Sequence, residues 1–103
     1  MLTQPEARHV ALVTLDIIQE MPGNGALDLV LIDALATESP LAWLFPFNTR
    51  EYVQTGAIGA LAVGVGPIMV NRQTGVPYVA PPLPRAQLVA QYEAAGGAPY
   101  NWF

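Results

Sequence analysis

Cysteine and lysine are both missing from this chain of 103 residues. Without cysteine there is no disulfide framework and no thiolate metal site. Without lysine, Gly64-Val-Gly66 does not make a P-loop. It also lacks the Ser/Thr of that motif, and Pro67 carries the chain into a strand rather than a helix, so a tight turn is the structural reading. Charge is scarce: 12% of residues are charged, against about 25% in an average domain. The four cations, Arg8, Arg50, Arg72 and Arg85, are spread along the chain, and the net charge is −4. That balance argues against nucleic acid as a partner, because phosphates require clustered cations. No stretch reaches the ~18 consecutive apolar residues of a membrane span. Glu6, Arg8, His9, Asp16 and Glu20 interrupt any signal-peptide core in residues 1–22, so a cytoplasmic protein is expected.

What is present is apolar. Hydrophobic residues make up 52% of the chain, which fits one core and leaves apolar groups for the surface. That surplus is compatible with a homodimer or a partner surface, and also with scattered exposed residues. Thr3-Gln-Pro-Glu6 has the form of a capping box with proline in the first turn. Ala7, Val10, Ala11, Thr14, Ile17, Ile18 and Met21 follow at the spacing of one helix face, widened by Leu12, Val13 and Leu15, until Pro22-Gly-Asn-Gly25 stops the helix. Leu27, Leu29 and Leu31 alternate with Asp28, Val30 and Ile32 as a strand, and Thr37-Glu-Ser-Pro40 breaks the run. Leu41, Trp43, Phe45 and Phe47 alternate again, with Pro46 marking an edge or a bulge.

Asn48 or Thr49 is placed to cap a helical turn over 50–54 that Gly56 ends. Residues 57–66 read as a compact loop with one helical turn. Residues 67–70 and 76–80 form a hairpin around Asn71-Arg-Gln-Thr-Gly75, with Gly75 left-handed. A last helix over 84–94 turns Leu88, Val89 and Tyr92 inward. The expected fold is α+β: an antiparallel four-stranded sheet with the N-terminal helix packed on it and a C-terminal helix. Residues 1–95 form one domain, and 96–103 form a Gly/aromatic tail.

Chemistry is thin. His9 is the single histidine and Ser39 the single serine, and no nucleophile–base–orienter set can be read. Asp28 and Asp33, five apart on a strand, point to opposite faces; Asp16 and Glu20 share a solvated helix face. No catalytic, cofactor or metal residue is assigned, and the chain reads as no enzyme. Trp43, Phe45 and Phe47 are read as the core face under the first helix, with an open partner face as the alternative. Tyr100, Trp102 and Phe103 either fold back onto the domain or serve as an anchor.

The run Trp43-Leu-Phe-Pro-Phe-Asn-Thr-Arg-Glu-Tyr52, then Thr55-Gly56, residues 61–64, and Gly66-Pro-Ile-Met-Val-Asn-Arg-Gln-Thr-Gly75 resembles the YrhB-like family, also called immunity protein family 35. Tyr92-Glu93 in the closing helix fits the same pattern. The similarity covers about residues 27 to 93; Val65, the proline-rich join at 81–84 and the aromatic tail depart from it. The resemblance implies a cytoplasmic bacterial protein of polymorphic-toxin systems that binds a cognate toxin domain and neutralises it by steric occlusion. A heat-stable, chaperone-like stabilising role is the alternative. Loop placement makes Arg50, Glu51, Tyr52, Arg72 and Gln73, with Trp102 from the tail, the expected partner-binding residues. Truncating Arg72 or Tyr52 is expected to weaken binding and leave the melting temperature nearly unchanged.

Overall fold

The computed structural model describes residues 1–21, 28–60 and 66–97. Helix α1 (Gln4–Glu20) opens on the expected capping box: Thr3 N–H donates to Glu6 Oε1 at 2.8 Å and Glu6 N–H to Thr3 Oγ1 at 3.4 Å. Its buried face is Ala7, Ala11, Thr14, Leu15 and Ile18. Ile17, read as a core position, is instead 50% exposed, with Val13 and Met21 beside it. The i, i+4 row through Ala7, Ala11 and Leu15 meets the sheet, and Ile17 falls off that row.

Strands β1 (Leu29–Leu31), β2 (Thr37–Glu38), β3 (Ala42–Phe45), β4 (Phe47–Thr49), β5 (Ile68–Asn71) and β6 (Pro77–Val79) are joined in two antiparallel ladders. One pairs β1 with β4; the other has the order β2-β3-β5-β6. The expected single four-stranded sheet is thus a two-stranded and a four-stranded sheet. Pro46 is the cause, since it offers no N–H to a ladder. Residues 29–38 run antiparallel to 42–49 as one interrupted hairpin, with a 3-10 turn (Asp33–Leu35) opposite Pro46. Ile32 N–H still donates to the Pro46 carbonyl at 2.8 Å across the break. Thr37 and Glu38, read as a breaker, pair with Leu44 and Trp43. The turn lies one step later, where Ser39 bonds Ala42 through both backbone and hydroxyl.

Period-two alternation gives the strands two buried faces. Trp43, Phe45, Phe47, Ile68, Val70, Leu29 and Leu31 pack against α1. Ala42, Leu44, Met69, Ala80 and Tyr78 pack with Leu88 and Tyr92 of α3 (Arg85–Ala94) on the other side. The three aromatics therefore form the core face under α1, as expected, while Leu41 joins the α3 side. The short helix α2 (Arg50–Thr55) is capped by Thr49, whose hydroxyl accepts from Tyr52 N–H at 3.2 Å, and ends at left-handed Gly56. A 3-10 turn (Ile58–Ala60) follows it. Gly75 has φ +73° in the hairpin turn. The segment 61–65 and most of the tail, including Trp102, lie outside the described residues.

Candidate partner-binding site

The expected partner residues fall into two groups. Arg50 and Glu51 are exposed and Tyr52 is half-buried on α2. Arg50 Nε donates to Asp28 Oδ2 at 2.8 Å, and its backbone N–H donates to the Asp28 carbonyl, so the start of α2 is clamped to the residue that precedes β1. Val53 and Ile58 are 40% and 76% exposed and add apolar surface in the same stretch. The second group is the β5–β6 turn. Gln73 is exposed there, its N–H held by Asn71 Oδ1, which also accepts from Thr74 N–H.

These groups are not brought together. Leu2, just before α1, donates to the Arg72 carbonyl, whereas Gln19, near its other end, accepts from Leu29 N–H, and Leu29 pairs with Thr49. The length of α1, about 25 Å for its 17 residues, therefore separates the turn from α2.

Arg72 is engaged inside its own domain. It forms an ion pair with Glu38 at 2.8 Å, donates to the Ser39 carbonyl at 2.9 Å, and lies 5.3 Å from the centroid of the Trp43 ring. The Trp43 indole N–H in turn donates to the Leu2 carbonyl. Arg72 thus fastens the β2–β3 turn to the β5–β6 turn, and these contacts argue against the expectation that its loss would spare the fold.

A feature that the sequence did not disclose lies on the α3 side. Leu35, Thr37, Leu44, Pro46, Pro67, Leu83, Arg85 and Leu88 line a half-open pocket of about 220 Å³. Arg85 is fixed at its edge, Nε donating to Thr37 Oγ1 at 3.0 Å and Nη2 to the Glu38 carbonyl at 2.7 Å. Its partners are 48 and 47 residues away in sequence, so no local pattern could have marked it. The proline-rich join, one of the departures from the family pattern, supplies Leu83 to the wall.

Electrostatic shifts gather at α1 rather than at either group. The Thr3 amide, and then its hydroxyl, hold the Glu6 carboxyl below its ordinary value. The Arg8 guanidinium, bonded to both Asp33 oxygens at 2.8 and 3.0 Å, does the same for Asp33. Burial pushes the Tyr92 phenol up, partly offset by Asn71. Among the described residues, no three His, Asp or Glu side chains converge as a metal site, and no helix is long and apolar enough to cross a membrane.

The sequence profile of immunity protein 35 matches residues 6–95, from the first turn of α1 to the end of α3. The chain belongs to the immunity protein 35 family. No curated protein and no solved structure shows significant similarity to it. The immunity protein 35 match takes in α1, both ladders and α3, so it extends beyond the 27–93 span of the sequence resemblance. Both candidate groups and the pocket lie within it.

Proposed function

We propose that this chain is an immunity protein that binds a cognate bacterial toxin domain in the cytoplasm and neutralises it by steric occlusion, with no catalysis of its own. Membership of the immunity protein 35 family over residues 6–95 carries the reading. Residues 1–95 act as one binding domain. The surface adds support: Tyr52 and Val53 stand beside Arg50 and Glu51 on the capped helix α2, and Ile58 is exposed on the 3-10 turn that follows it. Aromatic and arginine side chains on a rigid support are the usual anchors of an interface of about 800 Å² per partner. Gln73 and Arg72 at the turn, and Trp102, complete the proposed contact set, Arg72 through whatever part of its guanidinium stays accessible beside Glu38.

The test is to co-express the chain with the product of the neighbouring open reading frame. Rescue of growth together with a stoichiometric complex on gel filtration is the expected result. Binding to many unfolded clients and to no single toxin would instead favour the chaperone-like reading. The gel-filtration mass of the free chain reports at the same time whether it forms a homodimer.

A further inference from the structure

The arginines of this chain are not equivalent. Arg8, Arg50 and Arg72 each pair with a carboxylate: Asp33, Asp28 and Glu38. Arg85, the fourth arginine of the chain, bonds a neutral hydroxyl and a backbone carbonyl and pairs with no carboxylate among the described residues. Those two bonds use Nε and Nη2 and hold the planar guanidinium across the edge of the pocket. Arginine carries five N–H donors, so others remain for an incoming group.

The pocket beside it is apolar. Leu44 and Leu88 are buried at 2% and 3% exposure and form its base, while Leu35 stands 56% exposed at the mouth. At about 220 Å³ it is smaller than the ~300 Å³ and upward of small-molecule sites. It suits a single aliphatic or aromatic side chain. Glu38 links this edge to the candidate turn, its carboxylate on Arg72 and its carbonyl on Arg85.

We propose that the pocket between Leu35, Leu44, Leu83 and Leu88 receives one apolar side chain of the toxin, with a neighbouring toxin carboxylate bound by Arg85. The inference rests on the immunity reading and names the anchor for it. Charge complementarity selects the occupant. An apolar group alone would leave the preset guanidinium unused, and an acidic group alone would leave the leucine-lined cavity unfilled. A buried apolar anchor beside a charge-assisted bond is the arrangement that concentrates binding energy in few residues.

The experiment titrates the full chain with the purified product of the neighbouring reading frame by calorimetry. Wild type, Arg85→Gln, Arg85→Lys and Leu35→Glu are compared, and the melting temperature of each is recorded. Arg85→Gln and Leu35→Glu are expected to weaken the complex about tenfold or more. Their melting temperatures should stay within about 3 °C of wild type, as for surface substitutions. Arg85→Lys should recover part of the affinity by restoring the charge. A tight wild-type complex that both weakening variants leave unchanged overturns the pocket proposal and leaves the immunity reading standing. No wild-type complex removes the immunity reading itself. A second measurement follows the leucine methyl signals by NMR during titration with acetyl-leucine, an isobutyl group with an adjoining carboxylate. Shifts confined to Leu35, Leu44, Leu83 and Leu88, and diminished in Arg85→Gln, are expected alongside the toxin complex. The same shifts without any toxin complex would make a small carboxylic acid the occupant and overturn the proposal.

Discussion

The guanidinium of Arg72 is shared among the Glu38 carboxylate, the Ser39 carbonyl and the Trp43 ring, and its Nε is buried with no hydrogen-bond partner among the described residues. Its side chain is only 20% exposed, so solvent screens these contacts less than it screens the two outer pairs. Arg72→Ala is therefore expected to destabilise the fold by about 1–3 kcal/mol, the range for a charge-assisted bond plus a cation–π contact. Urea denaturation measures this directly. Lysine should not restore the loss, because it lacks the plane that covers the indole. The carboxylates make a second, separate prediction. Glu6 and Asp33 are both held below their ordinary values in the fold. Each then binds protons more readily when unfolded, so its contribution is complete above the ordinary carboxylate range and is lost as pH falls through the folded value. The melting temperature should drop below about pH 4, and a Glu6→Gln, Asp33→Asn double variant should show a flatter curve from pH 7 to 2. The drop should be modest, since both groups are exposed.

Among the elements, two glycines show that one substitution can fail for unrelated reasons. Gly66 has an ordinary φ, but a Cβ there would overlap the backbone carbonyls of Ala80 and Pro81 where β6 ends. Those atoms belong to a chain held by the Ala80 N–H to Pro67 carbonyl bond at 3.0 Å, and they have little room to retreat. Gly56 has open space around it but φ +71° at the end of α2. Gly66→Ala should cost about 3 kcal/mol, the upper part of the overpacking range, and Gly56→Ala about 1 kcal/mol for the left-handed conformation. Thermal unfolding of the two variants distinguishes them, and equal losses would mean that the 66–81 contact is easily relaxed. Pro67, the next residue, lines the pocket with Pro46 and Leu83, so the segment that cannot accept a side chain adjoins the pocket wall.

For the molecule as a whole, the strands carry apolar groups on both faces and each face has its own helix. The candidate partner groups lie at the rim, while Val13, Ile17 and Met21 leave an apolar stripe on the outer face of α1. The α2 patch and the β5–β6 turn stand about an α1 length apart, roughly 25 Å. A partner that touches both must span that distance; one that docks at β2 meets Arg72, Arg85 and the pocket together. Tyr52→Ala decides between these geometries. Loss of toxin affinity of about tenfold with an unchanged melting temperature would place the partner at α2. Retained affinity, with loss in the Arg85 and Leu35 variants, would place it at β2.

Much of the fold was legible because it is settled over short distances. The Thr3–Glu6 box, the Thr49 cap, the Gly56 and Gly75 turns and the inward positions Leu88 and Tyr92 depend on neighbours within about a turn or on a two- or 3.6-residue period, and a sequence displays both. The aromatic face of Trp43, Phe45 and Phe47 was readable on the same ground. Tertiary structure alone decided how Pro46 divides the pairing between two ladders, that Leu15 rather than Ile17 meets the sheet, and which partner each arginine takes. The bonds Arg8–Asp33, Arg50–Asp28 and Arg85–Thr37 join residues 25, 22 and 48 apart. Their geometry is fixed only when the strands and helices pack. The sequence by itself thus determined the elements and the family pattern; packing determined that Arg72 joins two turns through Glu38 and Ser39, while Arg85, with no carboxylate partner among the described residues, edges an apolar pocket.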